Sequence, residues 1–290
     1  MAQPTARSDL GAQSKGNAEP VTSAAATEKR ILCAIAIVAL GLLLWSGCID
    51  LIDLGWFSAG LPKIDAKNAA VNRENSSPKH PLEAAISFAR DVEKNIDDNV
   101  HDYTATLIKQ ERIGNELPPE QICFVKIREK PFSVYMNFLA PPDVKGREAL
   151  YVDGQNDGKL FGHEGTGLLA RFPSQWLPPT GAIAMGGQHY PITELGIANL
   201  TRRLIEIGEK DMAFGECQVW RNDDAKVGDR PCISITVLHP ERRPNFLFHI
   251  ARIFVDKELM VPLHYEAFDW PEKPGDPPPL IEQYTYARLK

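Results

Sequence analysis

The sequence predicts an α+β protein: one transmembrane helix, followed by a curved antiparallel sheet of about ten strands, a half-open barrel, with two helices on its concave side. Three observations predict it. Ile31–Ile49 (ILCAIAIVALGLLLWSGCI) is a run of 19 residues without a charge. From Val100 onward, short runs of β-branched and aromatic residues are broken by Gly and Pro in meander order. Residues 81–95 and 192–207 instead carry apolar side chains at helical spacing.

The N-terminal part fixes the predicted location. Residues 1–30 are rich in Ala, Ser, Gln and Gly without apolar periodicity, the pattern of a disordered tail. A helix over residues 31–49, at ~1.5 Å per residue, is roughly 28 Å long, enough to cross a bilayer core. Lys29 and Arg30 precede it, and Asp50 and Asp53 follow it. That asymmetry places the tail in the cytoplasm and everything after Asp50 outside it. Residues 50–80 are turn-rich and polar in their second half and read as a linker, so the folded domain spans 81–290. The segment LWSGC also resembles a lipobox, which makes Cys48 a candidate for lipidation; the alternative is a small residue near the end of the span.

In the domain, Leu82, Ala85, Ile86, Ala89 and Val92 mark the first helix. Strands are expected at Tyr103–Arg112, Gln121–Glu129, Ser133–Leu139, Glu148–Val152 and Lys159–His163, with Asn156-Asp157-Gly158 as a tight turn. Residues 174–190, rich in Pro and Gly, read as a long loop. Leu195, Ile197, Leu200, Leu204 and Ile207 mark the second helix. Further strands are expected at Glu216–Arg221, Cys232–Leu238, Phe246–Val255, Met260–Phe268 and Ile281–Leu289.

Charge and motif content exclude more than they assign. The net charge is −6 and no Lys/Arg block exceeds two adjacent residues, which argues against a nucleic-acid partner. The seven histidines form no zinc-type pair, and G-x-S-x-G, phosphate-loop and Cys-x-x-Cys motifs are absent, so no catalytic residue, metal site or cofactor is assigned. Gly162-His163-Glu164-Gly165 reads as a hairpin end rather than a catalytic turn, and Asp223-Asp224 as a solvated loop. Cys217 and Cys232 flank Asn222–Gly228; a hairpin centred there sets them opposite each other and predicts a disulfide, the alternative being two buried thiols. Phe132, Val134, Met136 and Phe138 alternate along one strand, as do Val261, Leu263 and Tyr265 along another. These seven are the candidates to line an apolar cavity between sheet and helices, with solid core as the competing reading.

Five segments together carry a family resemblance: YTATLIKQERIG (Tyr103–Gly114), VKIREKPFSVYMNFLAP (Val125–Pro141), GREALYVDGQNDGKLFGHEG (Gly146–Gly165), GQHYPITELGIANL (Gly187–Leu200) and HIARIFVDKELMVPLHYEAFDWP (His249–Pro271). They resemble domain of unknown function 1571, an extracytoplasmic family of planctomycete bacteria without an established activity. That family is similar to the outer-membrane lipoprotein sorting (LolA/LolB-like) superfamily. The similarity implies a half-open barrel plugged by helices that binds acyl chains or lipids, or serves as a periplasmic sensor, and it implies no catalytic residue. A soluble shuttle has no membrane anchor, so the predicted span favours a tethered lipid or lipoprotein binder. The competing expectations are an envelope sensor or protein-interaction module without a small ligand, and an envelope enzyme.

Overall fold

The computed structural model of the protein describes residues 80–290; the predicted tail, span and linker and Cys48 lie outside them. The chain begins with helix α1 (Glu83–Asn99) and continues through β1 (Asp102–Glu111), β2 (Gln121–Arg128), β3 (Ser133–Ala140), β4 (Glu148–Val152), β5 (Leu160–His163) and β6 (Gln175–Leu177). Helix α2 (Ile197–Asp211) follows. The remaining strands are β7 (Gln218–Val227), β8 (Arg230–Leu238), β9 (Ile250–Asp256), β10 (Pro262–Phe268) and β11 (Leu280–Ala287).

All 11 strands form one open antiparallel sheet in the order β6-β5-β4-β3-β2-β1-β11-β10-β9-β8-β7. It consists of two meanders that meet where the first strand pairs with the last, Leu107 opposite Tyr286 and Glu111 opposite Glu282. The chain therefore leaves one edge of the sheet at β6 and returns at the other edge with β7. Helix α2 lies on that crossing, which is why it is the element laid over the sheet face.

Both helices pack on the same face. Val92 and Ile96 of α1, and Ile197, Ala198 and Ile205 of α2, are buried, a spacing that puts each set on one side of its helix. The helices also touch each other. Gly208 lies so close to Ile86 that a Cβ at that position would come within 3.3 Å of its side chain. Arg202 of α2 reaches Asp97 of α1 at 2.6 Å, and Arg90 pairs with Glu209. The apolar stripe of α1 continues to Ile96, so the helix runs four residues past the predicted end at Asn95.

Helix α2 starts later than its periodicity suggests. Ile192–Glu194 is a separate 3-10 turn, and Gly196 interrupts with φ +113°. Its backbone needs the freedom of glycine: a Cβ there would meet the Tyr103 hydroxyl at 3.0 Å. That same hydroxyl accepts the Ile197 N–H at 2.9 Å, so a buried side chain on β1 fixes where α2 begins.

Two expectations are corrected in the strands. Residues 174–190 contain a strand after all, the three residues of β6 between Pro173 and Pro178. And Asn222–Gly228 is not the hairpin loop. Strand β7 runs through it to Val227, with a bulge between Asn222 and Ala225, and the turn is at Gly228-Asp229. Cys232 then faces Ala225, while Gln218 pairs with Leu238, which sets Cys217 at the far end of the ladder. Eight residues of strand separate Cys217 from Ala225, roughly 25 Å at ~3.3 Å each, far beyond the Cα separation a disulfide tolerates. Cys217 and Cys232 are free thiols, as is Cys123. Burial pushes the Cys217 thiol up to about 11, with the Asp211 carboxylate adding to it.

Candidate functional site

Strand β1 carries the key local pattern. Its helix-facing positions are Tyr103, Ala105, Leu107, Lys109 and Glu111, all buried. The period of two never breaks, but the residue type changes from apolar to charged after Leu107. Strand β11 does the same in the opposite chain direction, with Tyr286, Tyr284 and Glu282 on the shared face. Register sets Lys109 opposite Tyr284 and Glu111 opposite Glu282. One end of the covered face is thus a set of buried ionisable groups.

Two carboxylates directly opposite each other repel, and burying them costs more still unless they are paired and hydrogen-bonded. Every carboxylate oxygen here has a partner. Glu111 Oε1 takes the Lys109 ammonium at 3.2 Å and the Tyr284 hydroxyl at 2.7 Å, and its Oε2 accepts the His189 N–H at 2.7 Å. Glu282 Oε1 accepts the Tyr190 hydroxyl at 2.9 Å, and its Oε2 lies 2.7 Å from His189 Nδ1. The other ring nitrogen, His189 Nε2, lies 2.8 Å from the Arg112 carbonyl oxygen. Both nitrogens face acceptors, and only the imidazolium donates from both. The Glu282 carboxylate, with help from the Arg112 carbonyl and against partial burial, raises the His189 pKa accordingly. Lys109 and His189 thus face Glu111 and Glu282 as hydrogen-bonding partners. The structural effect of the cluster is to fasten residues 188–190, which lead into α2, onto the centre of the sheet.

Beside this cluster is a cavity of about 380 Å³. Lys109, Glu111, Gln188 and Glu282 form its polar end. Leu200, Leu204 and Ile207 of α2 and Met136, Tyr265 and Tyr286 of the sheet supply apolar wall, and Glu194, Asn199, Arg202, Arg203 and Glu206 also line it. Tyr265 stacks on Tyr284 with ring centroids 6.4 Å apart, and the Arg203 guanidinium sits 4.1 Å from the Tyr190 ring centroid. A second, apolar cavity of about 90 Å³ lies between both helices and β8–β10, bounded by Ile86, Val92, Phe248 and Ile253. Leu204, Ile207 and Tyr265 border both cavities, so these three side chains are the partition between them.

The seven cavity candidates divide. Met136 and Tyr265 line the larger cavity, and Tyr265 also lines the smaller one. Val134, Phe138, Val261 and Leu263 are buried in the core and border neither. Phe132 is half-buried against that core, with its ring 6.4 Å from Tyr151. Glu164 pairs with Arg147 at 2.9 Å and Asp223 with Arg221 at 2.8 Å. Among the described residues no group of three His, Cys, Asp or Glu side chains is placed to hold a metal ion, and no helix is long and apolar enough to cross a membrane. The buried pair His239 and Asp211, 3.3 Å apart, stacks on Phe246 rather than facing either a metal or the larger cavity.

Sequence reading did not find Lys109, Glu111, His189, Tyr190 or Glu282. A signal for three of them existed: Lys109 and Glu111 keep the strand phase of Tyr103, Ala105 and Leu107, and Glu282 that of Tyr284 and Tyr286. A charge in phase with a buried face must find a buried partner. Chemically, the cavity offers apolar side chains from α2 and the sheet together with charged and hydrogen-bonding ones.

A family model described as a protein of unknown function (DUF1571) matches residues 100–290. No curated protein matches the chain. Among solved structures, an uncharacterized conserved protein from Thermus thermophilus is similar at 11% identity and a TM-score of 0.40, over 72% of this chain and 87% of that one. A domain from Vibrio parahaemolyticus assigned to outer membrane lipoprotein sorting is similar at 12% identity and a TM-score of 0.33, over 71% and 91% of the two chains. The lipoprotein LppX of Mycobacterium tuberculosis is similar at 10% identity and a TM-score of 0.39, over 71% and 96%.

Proposed function

The chain belongs to the DUF1571 family, and we propose that it is a membrane-tethered extracytoplasmic binding protein that holds an acyl-bearing ligand, a lipid or a lipoprotein, between α2 and the sheet. The observation that carries this reading is the cavity of about 380 Å³ lined by both apolar and hydrogen-bonding side chains. Its volume lies within the range of small-molecule sites. Burying an acyl chain there contributes ~0.8 kcal/mol per CH₂, and a head group meets hydrogen-bonding residues at the other end.

In this reading the sheet is curled into a half-open barrel around α2. Geometry supports the curl. Leu204 borders one cavity with Met136 of β3 and the other with Ile235 of β8. Those strands stand six spacings apart in the sheet order, roughly 29 Å if it were flat at ~4.8 Å per strand. One leucine reaches toward both only if the sheet wraps round the helix. The charge-free run Ile31–Ile49, or a lipid on Cys48, is the proposed tether that keeps the domain outside.

The proposed role is binding rather than catalysis, because Glu111 and Glu282, the buried carboxylates of the cavity, are already occupied by protein donors. That occupancy also favours a second reading, an envelope sensor or protein-interaction module whose polar cluster is structural and whose cavity takes no ligand. Native mass spectrometry of the exported domain, gently purified from envelope, separates the two. A co-purifying lipid mass that detergent exchange removes supports the binding protein. An empty domain that also takes up no added fatty acid overturns it in favour of the interaction module.

A further inference from the structure

The outward face of the sheet, away from the helices, is unusually apolar at one edge. Leu150, Phe161 and Trp176 stand side by side in register across β4, β5 and β6, with the Phe161 and Trp176 rings 4.8 Å apart. All three are exposed, as are Leu168, Leu169 and Phe172 in the turn before β6. Ile183, after β6, is 74% exposed and Leu168 70%. Soluble monomers seldom show a contiguous apolar surface of this kind without a use for it. From Thr166 to Gln188 the only charged residue is Arg171, in a chain of net charge −6.

We propose that this edge, Leu150, Phe161, Trp176 and the segment Thr166–Gln188, docks onto the bilayer surface. Two observations select a bilayer over a protein partner. The first is charge: the segment Thr166–Gln188, with one arginine, no carboxylate and exposed Trp and Phe, is suited to an anionic headgroup region. The second is reach. Thirty residues lie between Ile49 and His80, a length of chain that reaches at most roughly 100 Å. A domain tethered in this way meets the bilayer at high effective concentration, so modest apolar contact suffices to orient it. The segment is continuous with the site. Gln188, which lines the cavity, donates from its side-chain amide to the Ala184 carbonyl, next to Ile183. The inference rests on the proposed tether, and adds a second contact of the domain with the bilayer.

The test uses the full chain reconstituted in vesicles of phosphatidylethanolamine and phosphatidylglycerol, with and without acyl chains brominated near the headgroup. Bromine quenches tryptophans at the membrane. The chain has 5 tryptophans, so Trp176→Phe isolates the contribution of Trp176, and Trp220→Phe serves as control. The expected result is that the Trp176 component loses at least half its emission in brominated vesicles. Leu168→Glu with Ile183→Glu should restore that emission, and the melting temperature should not change because both side chains are exposed. Equal Trp176 emission in both vesicles overturns the docking. So does a pair of glutamates that leaves quenching unchanged, or one that converts a dimer to a monomer with Trp176 never quenched, since a second copy would then cover the patch. Alkaline extraction after the fluorescence reading reports the tether separately. A released chain refutes the span, and quenching read beforehand still decides the docking.

Discussion

Replacing Lys109 by methionine removes the ammonium that faces Glu111 and leaves Glu111 and Glu282 opposite each other with less compensation. Methionine fills nearly the same volume, so packing is largely kept. The Lys109 and Glu111 side chains are only 6% and 5% exposed, so solvent screens the pair little. Breaking such a pair by removing one partner costs about 3–5 kcal/mol. Tyr284, His189 and water in the adjoining cavity soften the loss, which places the expectation near the lower figure, about 3 kcal/mol. Urea denaturation of wild type and Lys109→Met measures it as a shift in midpoint at unchanged slope. Adding Glu111→Gln to Lys109→Met should recover part of it, and that non-additivity is the signature of a direct pair. A cost below about 1 kcal/mol, the size of an exposed pair, with the two substitutions simply additive, would refute the description of a buried, mutually compensated cluster.

Other expectations follow from the same geometry. Because the His189 pKa is raised in the folded state, its contribution to stability is fully present below the unfolded value of ~6.5 and is lost as pH rises through the folded value. Wild type should therefore lose stability upward from about that pH, and His189→Gln should flatten this part of the profile. Gly196→Ala should cost about 1–3 kcal/mol, since φ of +113° strains a side chain and the new Cβ meets the Tyr103 hydroxyl at 3.0 Å; an unchanged midpoint would show that the start of α2 is not pinned there. Thiol labelling in denaturant without reductant should modify both Cys217 and Cys232, and recovery of a linked peptide would overturn the observed strand register.

The sheet was legible from sequence because most of its strands alternate cleanly over a covered face. In β3, Val134, Met136 and Phe138 are buried in strict alternation, as the pattern of apolar residues implied. The family resemblance was legible for the same stretches, and the matching family model covers them. What escaped was decided by tertiary contacts. The start of α2 depends on Tyr103, 94 residues away, accepting the Ile197 N–H, and no local propensity encodes that. The disulfide expectation failed through one bulge: Asn222–Ala225 contains polar residues typical of a turn, but a register shift keeps them in β7 and moves the reversal to Gly228. The polar cluster escaped because His189 and Tyr190 lie in a Pro/Gly-rich segment with no periodicity, and pattern alone does not say which strands they lie against. Apolar alternation likewise cannot separate wall from core; only two of the seven candidates, Met136 and Tyr265, border a cavity.

The most direct test of the central claim is a fluorescent fatty-acid titration of the delipidated domain beside a melting curve, for wild type and Met136→Trp. Met136 is 5% exposed and faces the cavity of about 380 Å³, so an indole there occupies ligand space rather than core. The account predicts saturable binding by wild type, its loss in the variant, and nearly equal melting temperatures. Absence of binding by wild type, together with the destabilisation of about 1–3 kcal/mol that overpacking a filled core brings, would contradict it.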